Sequence, residues 1–159
     1  MNPEGDIDVD DESLSVVDYA IASIHSPVFG YQNIEATTQA YLRALRHPIV
    51  RVLGHIDDGK HMCDYRQVIE ACVQNHVLIE VNNSSLKPDA FRLNAKENIK
   101  EILAICKELK CPIIMNSDAH FCLDVGNIEH SIEAITLANF PNELIVNYNE
   151  ELLKEYFNV

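Results

Sequence analysis

Apolar residues in this chain fall into short dense runs separated by stretches in which they recur every three or four positions. "VVDYAIASI" (16–24), "IVRVLG" (49–54), "VLIEVN" (77–82) and "PIIMN" (112–116) are rich in β-branched and aliphatic residues and read as strands. "ELIVN" (143–147) reads as a shorter fifth strand. Between the runs the spacing is helical. Asn33 is placed to cap a helix carrying Ile34, Thr38, Tyr41 and Leu45 on one face, and Asp64 one carrying Tyr65, Val68, Ile69, Cys72 and Val73. Asn94 with Glu97 has the capping-box pattern and opens a helix burying Ile99, Ile102, Leu103, Cys106 and Leu109. Ile128, Ile132 and Ile135 mark another helix, and "EELLKEYF" a last one. Strand–helix alternation with short connections predicts a parallel α/β sheet or barrel.

The totals narrow this picture without changing it. A chain of 159 residues with 47% apolar and 23% charged residues has the length and composition of one globular domain. Its net charge of -13 disfavours nucleic acid and anionic membrane surfaces as partners, since both require a positive footprint. It does not exclude a phosphorylated substrate, because bound cations can reverse the local field. No apolar run is long enough to span a membrane, and the acidic start is unlike a signal peptide, so the cytoplasm is the expected location. Cys63, Cys72, Cys106, Cys111 and Cys122 are odd in number and form no C-x-x-C pair; they read as reduced, structural thiols. Residues 1–12 read as a mobile, solvated acidic end. Asp6, Asp8 and Asp10 imitate the start of a calcium loop, but Asp11 and Val17 stand where that loop needs Gly and Glu. Residues 13–159 read as the folded part.

Chemistry gathers at the strand ends. The first strand runs into His25, the second into His55, the third into Asn82 and Asn83, and the fourth into Asp118 and His120. In parallel α/β folds the C-terminal ends of all strands lie on one face, where sites are built. Imidazole and carboxylate are the ligands that zinc and other first-row divalent metals prefer. If the chain stays extended past Met115, Asp118 and His120 share parity and point into one cavity. His61, in the loop after the second strand, and Asn82 are candidate substrate contacts. Lys60, Lys87 and Arg92 are candidate phosphate holders, although surface solvation is the commoner role of such residues. His47, His76 and His130 lie at or within helices and read as structural.

Taken together, "ASIHSPVF", "VLGH", "LIEVNNSS" and "NSDAH" resemble motifs of the PHP superfamily, named for polymerase and histidinol phosphatase, and in particular its small stand-alone bacterial phosphatases. The resemblance runs from about residue 5 to 157. It implies a distorted TIM-like barrel of seven βα units, of which about five are present here. It also implies a metal centre of zinc, manganese or iron that hydrolyses phosphate monoesters. By motif, His25, His55, Asp118 and His120 would be metal ligands, with Asp118 and His120 central to catalysis. The opening His-x-His strand and bridging glutamate of that family have no counterpart in the chain, which looks like the C-terminal two-thirds of the domain. "HIDDGKH" also replaces the more usual His-Pro-Gly after His55.

Three functions compete on these grounds. The first is a metal-dependent phosphatase acting on a small phosphorylated substrate. The second is a non-catalytic remnant, or one piece of a split protein, paired with a complementing N-terminal fragment or with copies of itself. The third is a metal-dependent amide hydrolase on a related barrel.

Overall fold

A computed structural model of the chain describes residues 1–157. Four strands, β1 (Ala20–Ser23), β2 (Val50–Gly54), β3 (Leu78–Asn82) and β4 (Ile113–Asn116), form one parallel sheet in sequential order. The helices are α1 (Asp11–Leu14), α2 (Ser26–Phe29), α3 (Ile34–Ala44), α4 (Tyr65–Asn75), α5 (Ala95–Leu109), α6 (Glu129–Leu137) and α7 (Glu150–Phe157). The architecture is α/β and compatible with part of a barrel. What is observed is an open sheet, with no closure among the described residues.

The period of two along each strand sorts the core. Leu53, Ile79, Val81, Ile113 and Met115 pack into the main core with buried residues of α3, α4 and α5. Val52, Leu78 and Ile114 belong to a second, smaller cluster with Val146, Leu152, Tyr156 and Phe157, so α7 covers part of the opposite face. Glu80, Asn82 and Asn116 share the parity of this second face and lie at its C-terminal end.

The predicted caps hold for two helices. The Asn33 side chain accepts from the Ala36 N–H, and that of Asp64 from the Gln67 N–H. The Asn94–Glu97 capping box does not form. Asn94 is left-handed and its side chain caps nothing; its backbone carbonyl accepts from Glu97 and Asn98 instead. Val73, expected on the buried stripe of α4, is exposed, as are Ile34 and Ile132.

Two strand expectations need correcting. The first strand covers only 20–23 of the run 16–24, and Val16 stands 82% exposed. Pairing with β2 begins where the Ala20 N–H donates to the Ile49 carbonyl, and residues before it have no strand alongside. The fifth strand is reduced to one parallel bridge, Ile113 with Ile145, between two short 3-10 turns. The Asn147 side chain explains this. Its Oδ1 accepts from the Met115 N–H at 2.7 Å and its Nδ2 donates to the Met115 carbonyl at 2.9 Å. A side-chain amide thus does what a strand backbone would have done along β4.

The acidic N-terminal stretch is tied to this sheet. Met1 is buried, and its ammonium donates to the Ser23 carbonyl at 3.0 Å and pairs with Asp8 at 2.9 Å. All five cysteines are free, and only Cys122 is exposed. No described helix is long and apolar enough to cross a membrane.

Candidate active site

The C-terminal ends of β2, β3 and β4 carry a largely buried polar cluster. Glu80 is its anchor. Its Oε2 accepts from the His55 backbone N–H at 2.8 Å and from Asn82 Nδ2 at 3.1 Å, and its Oε1 accepts from Asn116 Nδ2 at 2.9 Å. One carboxylate on β3 therefore fixes the ends of both neighbouring strands. Asn82 extends the cluster. Its Nδ2 also donates to Asp118 Oδ2 at 3.1 Å, while its Oδ1 accepts from the Ser85 N–H.

Arg92 completes it. Contrary to the expectation of a solvated side chain, Arg92 is only 7% exposed. Its guanidinium donates to Asp118 Oδ2 at 3.1 Å, to Ser85 Oγ at 3.2 Å and to Asn82 Oδ1 at 3.4 Å. Burying this cation is tolerable because these acceptors satisfy it. Ser85 passes the network on to Asp57, donating to its Oδ1 at 3.2 Å. Asp57 Oδ2 is buried with no partner.

These surroundings set the protonation states. Burial drives the pKa of His55 down to about 4, helped by Arg92 and His25 and opposed by Asp118. The imidazole is therefore neutral at ordinary pH. Burial acts to raise the pKa of Asp118, but the Asn82 hydrogen bond and the Arg92 guanidinium outweigh it and hold the carboxyl below its usual range. Burial, reinforced by Glu80, pushes Asp57 up to about 7 against Arg92 and Ser85.

His55 and Asp118 are both non-glycine residues with positive φ, at 37° and 49°. Left-handed backbone at such residues is uncommon and collects at functional positions. It also overturns the parity expectation. The strand ends at Asn116, the chain turns at Asp118, and the His120 side chain stands 86% exposed. Its Nδ1 lies 3.1 Å from the Asp118 carbonyl and 4.0 Å from the carboxylate.

The remaining expected residues take separate places. His25 meets His55 edge to face, with ring centroids 4.9 Å apart, and its Nε2 bonds Ser23 Oγ at 3.0 Å. His61 is buried against Phe29, its Nε2 bonded to Ser26 Oγ at 2.8 Å and its Nδ1 unpartnered. Lys60 sits at the rim, donating to the Phe91 carbonyl at 2.9 Å. Lys87 pairs with Asp124 at 3.6 Å. Asn83 is structural: its Oδ1 accepts from the His130 and Ser131 N–H groups at the start of α6. Sequence reasoning missed Glu80, Asp57, Ser85 and Asn116. The legible signal was Glu80 itself, a charge inside a strand whose neighbours are all buried.

The donor chemistry fits a divalent metal, with a neutral imidazole at His55 and an ionised carboxylate at Asp118. The gathering of ligands is incomplete. Among the described residues no three His, Cys, Asp or Glu side chains come together closely enough to hold a metal ion. The cation that Asp118 does meet is the Arg92 guanidinium, at 3.1 Å.

No family model matches the chain. Curated relatives do. A protein named probable phosphatase from Clostridium novyi (strain NT) is 32% identical over 153 residues, covering 96% of this chain and 62% of its own length. One of the same description from Photobacterium profundum is 36% identical over 146 residues, covering 92% and 58%. Another, from Caldanaerobacter subterraneus subsp. tengcongensis, is 33% identical over 158 residues, covering 98% and 61%. The chain is thus similar over nearly all its length to proteins named probable phosphatases, and it spans about three fifths of the length of these relatives.

Proposed function

We propose that this chain carries the phosphate-handling end of a phosphatase of the PHP type, acting on a small phosphate monoester. The observation that carries this reading is the cluster of buried Glu80, Asn82 and Arg92 with the half-buried Asp118 at the strand ends, beside the neutral His55. It coincides with the motifs that resemble that superfamily, in a chain similar to probable phosphatases.

Each residue has a task in this reading. Arg92 and Lys60 supply positive charge at the mouth of an otherwise acidic chain and draw in a phosphate dianion. Glu80 and Asn82 hold His55 and Asp118 in their left-handed conformations, so the reacting groups are placed before substrate arrives. His25, His55, Asp118 and His120 are the residues that would hold a divalent metal, zinc or else manganese or iron. Such a metal supplies charge neutralisation and an activated water.

A screen of phosphate monoesters against cyclic amides, with each metal added in turn, tests the reading. Release of orthophosphate with no amide hydrolysis is expected. Amide hydrolysis without phosphate release contradicts the reading and favours a related amide hydrolase.

One observation favours a second reading. Ligand groups do not converge among the described residues. A chain without turnover accounts for this. A folded monomer with phosphatase turnover rules it out.

A further inference from the structure

Apolar side chains edge the mouth of the site on two loops. Phe91 and Leu93 precede α5, and Phe121, Leu123 and Val125 follow β4; all are exposed, Phe91 by 72%. The two loops are joined. Lys87 pairs with Asp124, and the Ser84 hydroxyl donates to the Ser117 and Asp118 carbonyls at 3.0 and 3.2 Å.

The backbone that carries Phe91 is braced on both sides. Lys60 Nζ donates to the Phe91 carbonyl at 2.9 Å, and the Leu93 N–H donates to Asp58 Oδ1 at 3.1 Å. The Gly59 N–H donates to the Leu93 carbonyl at 2.7 Å. A Cβ on Gly59 would lie 2.6 Å from that carbonyl oxygen, so this seam closes only on glycine. Two cations already lie over the Phe91 ring, Lys60 Nζ at 5.3 Å and Arg92 Cζ at 5.0 Å from its centroid. Its neighbour Arg92 reaches in the other direction to Asp118, at 3.1 Å.

Holding a large apolar ring in water on an ordered backbone gains no core and loses chain entropy. A flat ligand stacked on the exposed part of the ring would make use of that order. The ligand must also suit two cations, one of them buried and joined to the proposed reaction site. We infer that Phe91 is a stacking platform that selects phosphate monoesters whose alcohol portion is a planar aromatic ring. The aromatic group rests on Phe91, and the phosphate lies towards Arg92 and Asp118. Aliphatic phosphate esters share the charge recognition but lack the stacking. This inference rests on the phosphatase reading above.

Calorimetric titration of the full chain with orthophosphate, glycerol 3-phosphate and phenyl phosphate tests it, using wild type, Phe91→Ala and Phe91→Leu. Phenyl phosphate is expected to bind wild type about tenfold more tightly than glycerol 3-phosphate. Phe91→Ala is expected to bring that ratio to within about twofold, with Phe91→Leu between the two. If orthophosphate and both esters bind but the ratio in wild type is near one, or does not move in Phe91→Ala, the inference fails and the phosphatase reading stands. If none of the three probes binds, both fail. If Phe91→Ala instead converts a dimer to a monomer on gel filtration, the apolar rim serves self-association and the inference is overturned.

Discussion

Arg92 and Asp118 lie 26 positions apart in the chain, yet the guanidinium of one approaches the carboxylate of the other to 3.1 Å, with the Arg92 side chain almost wholly buried. Together with the Asn82 amide, the Arg92 guanidinium holds the Asp118 carboxyl below its usual range, and the same cation works against the burial of Asp57. It ties the loop before α5 to the end of β4 and so assembles the site from two connections.

Removing the cation alone leaves carboxylates in a poorly solvated place. Arg92→Ala is expected to destabilise the fold by roughly 2–3 kcal/mol, below the full cost of breaking a buried pair because Asp118 is partly exposed. Urea denaturation measures it. In a double-mutant cycle Asp118→Asn should recover part of the loss, and strict additivity of the two changes would show that the pair is not coupled.

Asp57 gives a pH signature. Its folded pKa, near 7, lies above the unfolded value of 3.8. Its contribution is therefore fully present below pH 4 and is lost as pH rises through 7. In Asp57→Asn that loss disappears. The variant should gain stability relative to wild type between pH 4.5 and pH 8, by on the order of 3 kcal/mol. A difference between the two proteins that is flat with pH would contradict the assigned protonation. His55 works in the opposite sense. Its folded pKa, about 4, lies below 6.5, so its contribution is present above pH 6.5 and is lost as pH falls towards 4. The two trends partly cancel in wild type, which is why the variant is the informative measurement.

Asn147 stands in for a strand. Asn147→Ala removes both hydrogen bonds to the Met115 backbone and should cost about 1–2 kcal/mol in thermal or urea unfolding. Amide exchange at Met115 should accelerate with it, whereas unchanged protection there would mean that other groups cover the β4 edge.

Much of this was legible in the sequence because it is local. The runs at 49–54, 77–82 and 112–116 are strands to within a residue at each end, and Asn33 and Asp64 cap as their side chains dictate. The placement of His25, His55, Asn82 and Asp118 at or just after the ends of successive strands follows from the pattern of the runs. What escaped depends on tertiary partners. Arg92 sits in "KPDAFRLNAKE", a stretch with no helical or strand period, so nothing local marks it as buried. The left-handed turn at Asp118 moves His120 out to solvent, a change that a strand-parity argument cannot anticipate. "ELIVN" has the composition of a strand, but the Asn147 amide takes over the pairing with β4.

Phosphate ester hydrolysis at these strand ends, as proposed above, is tested by orthophosphate release from a phosphate monoester panel by the purified chain. The assay is run as isolated, after chelation, after return of zinc, manganese or iron, and in an Asp118→Ala, His120→Ala variant. The expected result is turnover that chelation abolishes, that a returned metal restores, and that the variant lacks. Turnover that persists unchanged in a metal-free variant, or a folded wild-type chain with no turnover under any metal, would contradict it.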